Sequence, residues 1–289
     1  MIHSLPAVRT QRHGFEELAL LGAAARNLYA DRLELDMSRC EFFEANMTAP
    51  LASVLAGITD RLNSVDVVNV PKKVEAILRK NQFLLNYGFN PIQDTNRTSL
   101  PFRRIKLTDE GRFADYLRQY LGGKGMPRMT PELERVFTQS VFEVFQNAVV
   151  HSGSRLGVFV CGQFYPQMKR LDITLADSGR GIRTNVREYL GRQISSVEAI
   201  RWALREGNTT KRGPQPGGVG LKFLKDFVIK NRGKIQIASR LGFYELRGSD
   251  ETFAKLSSDF PGTAVNIEVN TADTKSYALS SGISVDDIF

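Results

Sequence analysis

The stretch VFEVFQNAVVHSG, residues 141–153, sets the tightest limit on how this chain folds. Val141, Phe142, Val144, Phe145, Ala148 and Val149 wrap most of the way around a helical wheel, so a helix here belongs inside a core. Glu143, Asn147 and His151 recur every fourth residue and form one polar stripe about 12 Å long, at about 1.5 Å of rise per residue. A wet helix face is the plain explanation of such a stripe. A wet face, however, favours Lys and Glu over Asn, which is a poor helix former. Upstream, Thr130, Pro131 and Glu132 supply an N-cap, a first-turn proline and a first-turn acid, which predicts one long helix running to His151.

Such a helix needs a large surface to bury it. The chain has 289 residues, 42% of them hydrophobic, enough for one large or two ordinary domains. After the long helix, strand patterns occupy residues 156–164 and 171–176. A loop-rich, helix-containing insert covers 182–216, and a helix follows at 221–230. Strands are predicted at 234–238, 243–247 and 263–269. Before the long helix, the pattern predicts helices at 15–29, 47–62 and 72–85, strands at 33–38 and 65–70, a linker at 88–101 and a helix at 113–121. The fold class is therefore α+β. A C-terminal sandwich over 101–275, with a mixed, mostly antiparallel sheet carrying helices on one face, follows a separate, smaller α/β layer over 1–100. Residues 276–289 read as a polar tail.

Lys plus Arg minus Asp plus Glu is 39 − 31 = +8, spread in short runs, which suits anionic ligands such as nucleotides as well as nucleic acid. Cys40 and Cys161 lack any zinc-ligand spacing and suggest no disulfide framework, so a reducing, cytoplasmic setting is expected. The sequence predicts neither a membrane span nor a signal peptide.

Four segments can carry chemistry. On the helix, the neutral amide oxygen of Asn147 can ligate Mg²⁺ beside phosphates, and Glu143 one turn earlier can polarise an attacking water. In ITLADSGRGI, a strand runs out into Asp177, Gly179, Gly181 and Ile182, either an ordinary turn or a place where a ligand approaches the backbone. In GPQPGGVGLKFLKDFVIKN, Gly217, Gly218 and Gly220 bring unpaired N–H groups and a helix start together, either as an anion site or as a flexible linker. No Lys-Ser or Lys-Thr follows, so this is not a Walker loop. In FPGTAVNIEV, Gly262 and Thr263 open a strand.

Taken in order, these segments resemble the nucleotide-binding boxes of the GHKL ATPase superfamily, which includes gyrase B, histidine kinases and MutL. The resemblance covers residues 131–269, and the fold it implies is of the Bergerat type. It implies ATP and Mg²⁺ as ligands. Asp177 would accept from the adenine amino group with Thr263 in support, and Gly179, Gly181 and Ile182 would form the loop around the base. Asn147 would hold Mg²⁺, and Gly218, Gly220 and Leu221 would wrap the phosphates. Glu143 would be the water-activating base. Residues 185–216 would form a lid, with Thr209, Thr210 or Lys211 at the terminal phosphate. His151 either borders the phosphates or ends its helix against the C-terminal dipole.

A sensor kinase carries a phosphoacceptor His on an upstream helix hairpin, whereas here only His3 and His13 precede, which argues against histidine autophosphorylation. The Glu-x-x-x-Asn-Ala-x-x-His form is similar to the anti-sigma-factor serine kinases. Residues 33–87 resemble a STAS layer, the substrate class of those kinases, with Thr48 the only hydroxyl near the helix start. Three readings stay open: an ATP-hydrolysing regulatory protein contacting a protein partner through its N-terminal domain, a serine/threonine kinase acting on a STAS-like partner, and a non-enzymatic nucleic-acid-binding protein. Homodimers, common in the superfamily, also stay open.

Overall fold

The computed structural model describes residues 1–205, 207–208 and 219–277. Its centre is a five-stranded sheet of order β4-β6-β7-β9-β8, built from β4 (Ser99–Ile105), β6 (Val158–Tyr165), β7 (Arg170–Asp177), β8 (Lys234–Arg247) and β9 (Asp250–Asn270). All four pairings are antiparallel, so the expectation of a mixed sheet is corrected. The parallel pairing lies elsewhere, in a three-stranded sheet of β1 (Ile2–Ser4), β2 (Arg32–Asp36) and β3 (Ser64–Val68) and in the two-residue pair β5 (Arg128–Met129) and β10 (Ser276–Tyr277). The polar tail thus begins with residues that pair in a strand.

Alternation along the central strands divides two apolar cores. Leu171, Ile173 and Leu175 of β7 face one core, together with Ile235, Ile237 and Ile267. Against them pack α4 (Glu110–Leu121), α5 (Pro131–His151) and α8 (Val219–Asn231) through Phe113, Phe137, Phe145 and Leu224. The second sheet face meets α1 (Arg12–Ala24) and α2 (Thr48–Thr59). Phe15 of α1 lies 5.7 Å from the Phe243 ring and 6.4 Å from the Phe260 ring, both on the hairpin of β8 and β9. Helices therefore cover both faces of the sheet, which corrects the expectation of one face, and a single apolar cluster runs from Leu35 and Leu55 to Ala176 and Ala264. α3 (Lys72–Lys80) adds Val74 and Leu78 to the same cluster.

The second face was hidden from a pattern reading because its side chains are polar. Asp172, Thr174, Gln236 and Asn266 alternate with the apolar positions, as residues of a solvated face do, yet all four are fully buried. Asn46, just before α2, donates to Thr10 Oγ1 (2.9 Å) and Thr174 Oγ1 (3.0 Å), and Thr174 donates to Asn266 Oδ1 (2.7 Å). Asn266 donates in turn to Asp172 Oδ1 at 3.1 Å. Buried polar groups held this way avoid the desolvation penalty of an unmade bond, and they make the match between the layers specific. Thr48 is fully buried and donates to the Ala45 carbonyl (2.7 Å), so in this fold its hydroxyl is closed to a kinase.

The predicted linker feeds directly into β4 at the sheet edge. The strands predicted at 234–238 and 243–247 are one strand, β8, broken in register around Arg240, which takes a left-handed φ of 53°. Among the described residues, no helix is long and apolar enough to cross a membrane.

Candidate functional site

The predicted start of α5 is observed: Thr130 is the N-cap, its side chain accepts from the Leu133 N–H, and Pro131 occupies the first turn. The other end of α5 matters more. The Ser152 carbonyl accepts the Arg180 N–H at 2.8 Å, which fastens the turn after β7 to the C-terminus of α5. Gly179 makes this approach possible, since a Cβ there would lie 2.1 Å from the Ser152 oxygen. The loop read from the sequence as Asp-Ser-Gly-Arg-Gly is thus clamped between β7 and α5.

Four strands meet on one rung beside that loop, two of them, β6 and β7, at their ends. Val158 pairs with Asp177, Asp177 with Thr263, and Thr263 with Ser239. Asp177 follows Leu171, Ile173 and Leu175 on the face toward α5, so a carboxylate ends an apolar stripe. It is 4% exposed, and its Oδ1 accepts the Gly179 N–H at 2.7 Å. Burial pushes its pKa up to about 7, against the opposing pull of backbone hydrogen bonds from Gly179 and Thr263. Gly262 tightens the corner further: its φ is 95°, and a Cβ there would stand 2.0 Å from the Asp177 carbonyl.

Between this rung, α5 and two further helices, α6 (Ile182–Leu190) and α7 (Ser196–Ala203), opens a cleft. Its walls are mainly apolar, with Val144, Ala148, Leu175, Val186, Trp202 and Val265 among them. Among the described residues the polar groups are few: Asn147, His151, Ser152, Asp177, Asn185, Asn208 and Thr263. A mostly apolar concavity with a handful of converging polar groups, one of them a carboxylate of displaced pKa, is the usual form of a ligand site.

Of the residues singled out in the sequence, Asn147, His151, Asp177, Gly181, Ile182, Leu221 and Thr263 line the cleft. Gly179 holds its base without lining it, through the contacts just described. Glu143 is buried (7% exposed), one turn back from Asn147, and is not among the described residues of the wall. Gly220 lies in the first turn of α8. Thr209, Thr210, Lys211 and Gly218 fall outside the described residues. The first part of the expected lid is two helices: Asn185 on α6 donates to the His151 carbonyl at 2.9 Å, and α7 opens with a Ser195–Glu198 capping box.

Trp202, Asn208 and Ser239 escaped the sequence. Trp202, the only tryptophan of the chain, sits in a segment taken for a loop-rich insert, and its helical spacing was the available signal. Ser239 fell between two predicted strands.

Among the described residues, no group of three or more His, Cys, Asp or Glu stands where it would hold a metal ion. Asn147, on the cleft wall, carries a neutral amide oxygen of the kind that can serve as one donor to a hard cation. No model of a known protein family matches the chain, and no curated protein matches it in sequence.

Proposed function

We propose that the cleft binds ATP with Mg²⁺, and that the protein is an ATP-hydrolysing regulator whose nucleotide state is communicated to a protein partner. The observation that carries this reading is the paired Asp177 and Thr263 lining a mainly apolar cleft, with Asn147 also on its wall. An apolar slot ending in a buried carboxylate suits a flat heterocycle with an amino group. The walls take the ring faces while the carboxylate takes an N–H.

Asn147 then serves the phosphate side, holding the Mg²⁺ that neutralises phosphate charge there. Glu143, one turn away on the same stripe of α5, aligns the attacking water. Positioning and charge neutralisation supply most of the rate in such a reaction.

Regulation draws on contacts behind the base loop. Ser178 Oγ donates to the Ser53 carbonyl of α2 at 2.6 Å, and Gly22 of α1 sits against Pro261, where a Cβ would lie 3.3 Å from the ring. The two turns that flank the acceptor pair therefore rest on the N-terminal helices, and a partner that moves those helices acts on the base site.

The test is nucleotide binding with and without Mg²⁺, followed by phosphate release on the same sample. Asp177→Ala is expected to abolish binding, and Glu143→Ala to abolish release while sparing binding. Normal turnover in both variants would sink the assignment. Radiolabel transferred to a protein instead of released as phosphate would make the activity a kinase.

A further inference from the structure

Ser239 is 1% exposed, stands opposite Thr263 on the neighbouring strand, and has three polar groups around its hydroxyl. The Ile182 N–H donates to it at 2.9 Å. The Gly262 carbonyl oxygen lies 3.0 Å away, and Thr263 Oγ1 lies 3.0 Å away.

A serine hydroxyl owns one proton and two lone pairs. The Gly262 carbonyl can only accept, so the Ser239 proton goes to it. The Ile182 N–H occupies one lone pair, and the other is left for Thr263, which must donate its own proton there. With that proton spent, the Thr263 oxygen meets the cleft as an acceptor only. Asp177, paired with Thr263 across β7 and β9, is likewise acceptor-only when ionised. Thr263 and the ionised Asp177 then both face the cleft as acceptors only.

Building on the nucleotide reading of the cleft, we propose that Ser239 is a specificity-determining residue: by taking the Thr263 proton it makes the site select a purine with a 6-amino group over a 6-oxo purine. An amino group brings two N–H donors to two acceptors. A 6-oxo purine keeps one donor, its N1–H, but sets an acceptor where the two amino N–H groups stood, so at least one of the two oxygens of Asp177 and Thr263 facing the cleft meets another acceptor. Ser239 does not touch the base. It acts by orienting the hydroxyl of Thr263, so its signature is a change in selectivity rather than a loss of affinity for every ligand alike.

The experiment compares the binding of ATP and inosine triphosphate, with Mg²⁺, to the wild-type protein and to Ser239→Ala by calorimetry. The wild type is expected to favour ATP by at least about 100-fold, as a site built around a substrate N–H does. In Ser239→Ala the Thr263 proton loses its acceptor and turns to the cleft, and the preference is expected to fall below about tenfold through the gain of one donor. A preference unchanged in Ser239→Ala overturns the proposal. If that variant does not fold, Thr263→Val removes the acceptor itself and is expected to lower the ATP preference; an unchanged ratio there also overturns it. A wild type that binds neither nucleotide overturns the nucleotide reading on which the proposal stands. Equal binding of both by the wild type overturns the assignment to Ser239 alone.

Discussion

Asp177 and Thr263 face each other as the last of eight consecutive pairs that join β7 to β9. Seven of those pairs knit the centre of the sheet. The eighth carries a buried carboxylate and a hydroxyl into the cleft, so the same ladder that stabilises the core fixes the spacing of the two acceptors. Several measurable consequences come from that placement.

The first concerns pH. Burial holds the Asp177 pKa at about 7, above the ordinary value of 3.8. A ligand amino group favours the ionised carboxylate, so nucleotide affinity is expected to weaken about tenfold per unit as pH falls below 7 and to level off above it. Asp177→Asn is expected to bind more weakly and to lose this dependence. Binding isotherms from pH 5.5 to 8.5 would check both.

Stability without ligand runs the other way. A folded-state pKa raised above the unfolded value means the native protein holds the proton more tightly, so the favourable contribution is complete below the ordinary carboxyl value and is lost as pH rises toward 7. Asp172, also fully buried, is pushed up to about 7 by burial and by Glu268, and it adds a slope of the same sign. Subtracting the Asp177→Asn variant isolates the site residue. Its melting temperature is expected to exceed that of the wild type at pH 8 and to match it near pH 4.

Gly262→Ala tests the corner. With φ at 95° and a Cβ placed 2.0 Å from the Asp177 carbonyl, both the backbone and its neighbour must move. A loss of at least about 2 kcal/mol is expected from urea unfolding, together with loss of nucleotide binding. Gly111→Ala, on α4 with nothing within 4 Å of its Cβ, is the control and is expected to change neither.

The N-terminal layer and the sheet are expected to unfold together, because one apolar cluster and the Asn46 network join them. Trp202 fluorescence, which reports on the cleft, and far-ultraviolet dichroism, which reports on the whole chain, should give coincident urea transitions. Asn46→Ala leaves buried partners unsatisfied and is expected to cost about 1–3 kcal/mol. Two separate transitions would contradict the continuous core.

Trp202 also offers a direct signal, being the only tryptophan and part of the cleft wall. Adenosine and ATP are expected to change its emission, whereas pyrophosphate, which lacks a base, should leave it unchanged. A pyrophosphate response equal to that of ATP would count against a base seated beside Trp202.

How far the sequence could be read depended on the kind of signal each residue carried. α5 was legible from Thr130 to His151 because a proline start, an N-cap and helical periodicity are all local. Asp177 was legible as a strand end, since aspartate beside glycine marks a chain turning out of a sheet, whereas Thr263, read as the opening of a strand, lies inside β9. β8 was read as two strands because the break at Arg240 is set by its partner strand, and the 250–260 half of β9 was missed because few of its side chains face a core. Thr174, Gln236 and Asn266 carry no local sign of their burial, since period-two polarity looks the same whether water or another polar layer covers it.

By itself, then, the sequence determined the buried helix, the strand ends and the glycine turns, because backbone preference and periodicity act over a few residues. Tertiary structure alone decided that Asp177, Thr263 and Ser239 share a rung, that Trp202 lines the cleft, and that the N-terminal helices cover the second sheet face. Those facts depend on which strands pair and in what register. Pairing of that kind joins Asp177 to Thr263, 86 positions away (263 − 177), and no local pattern records it.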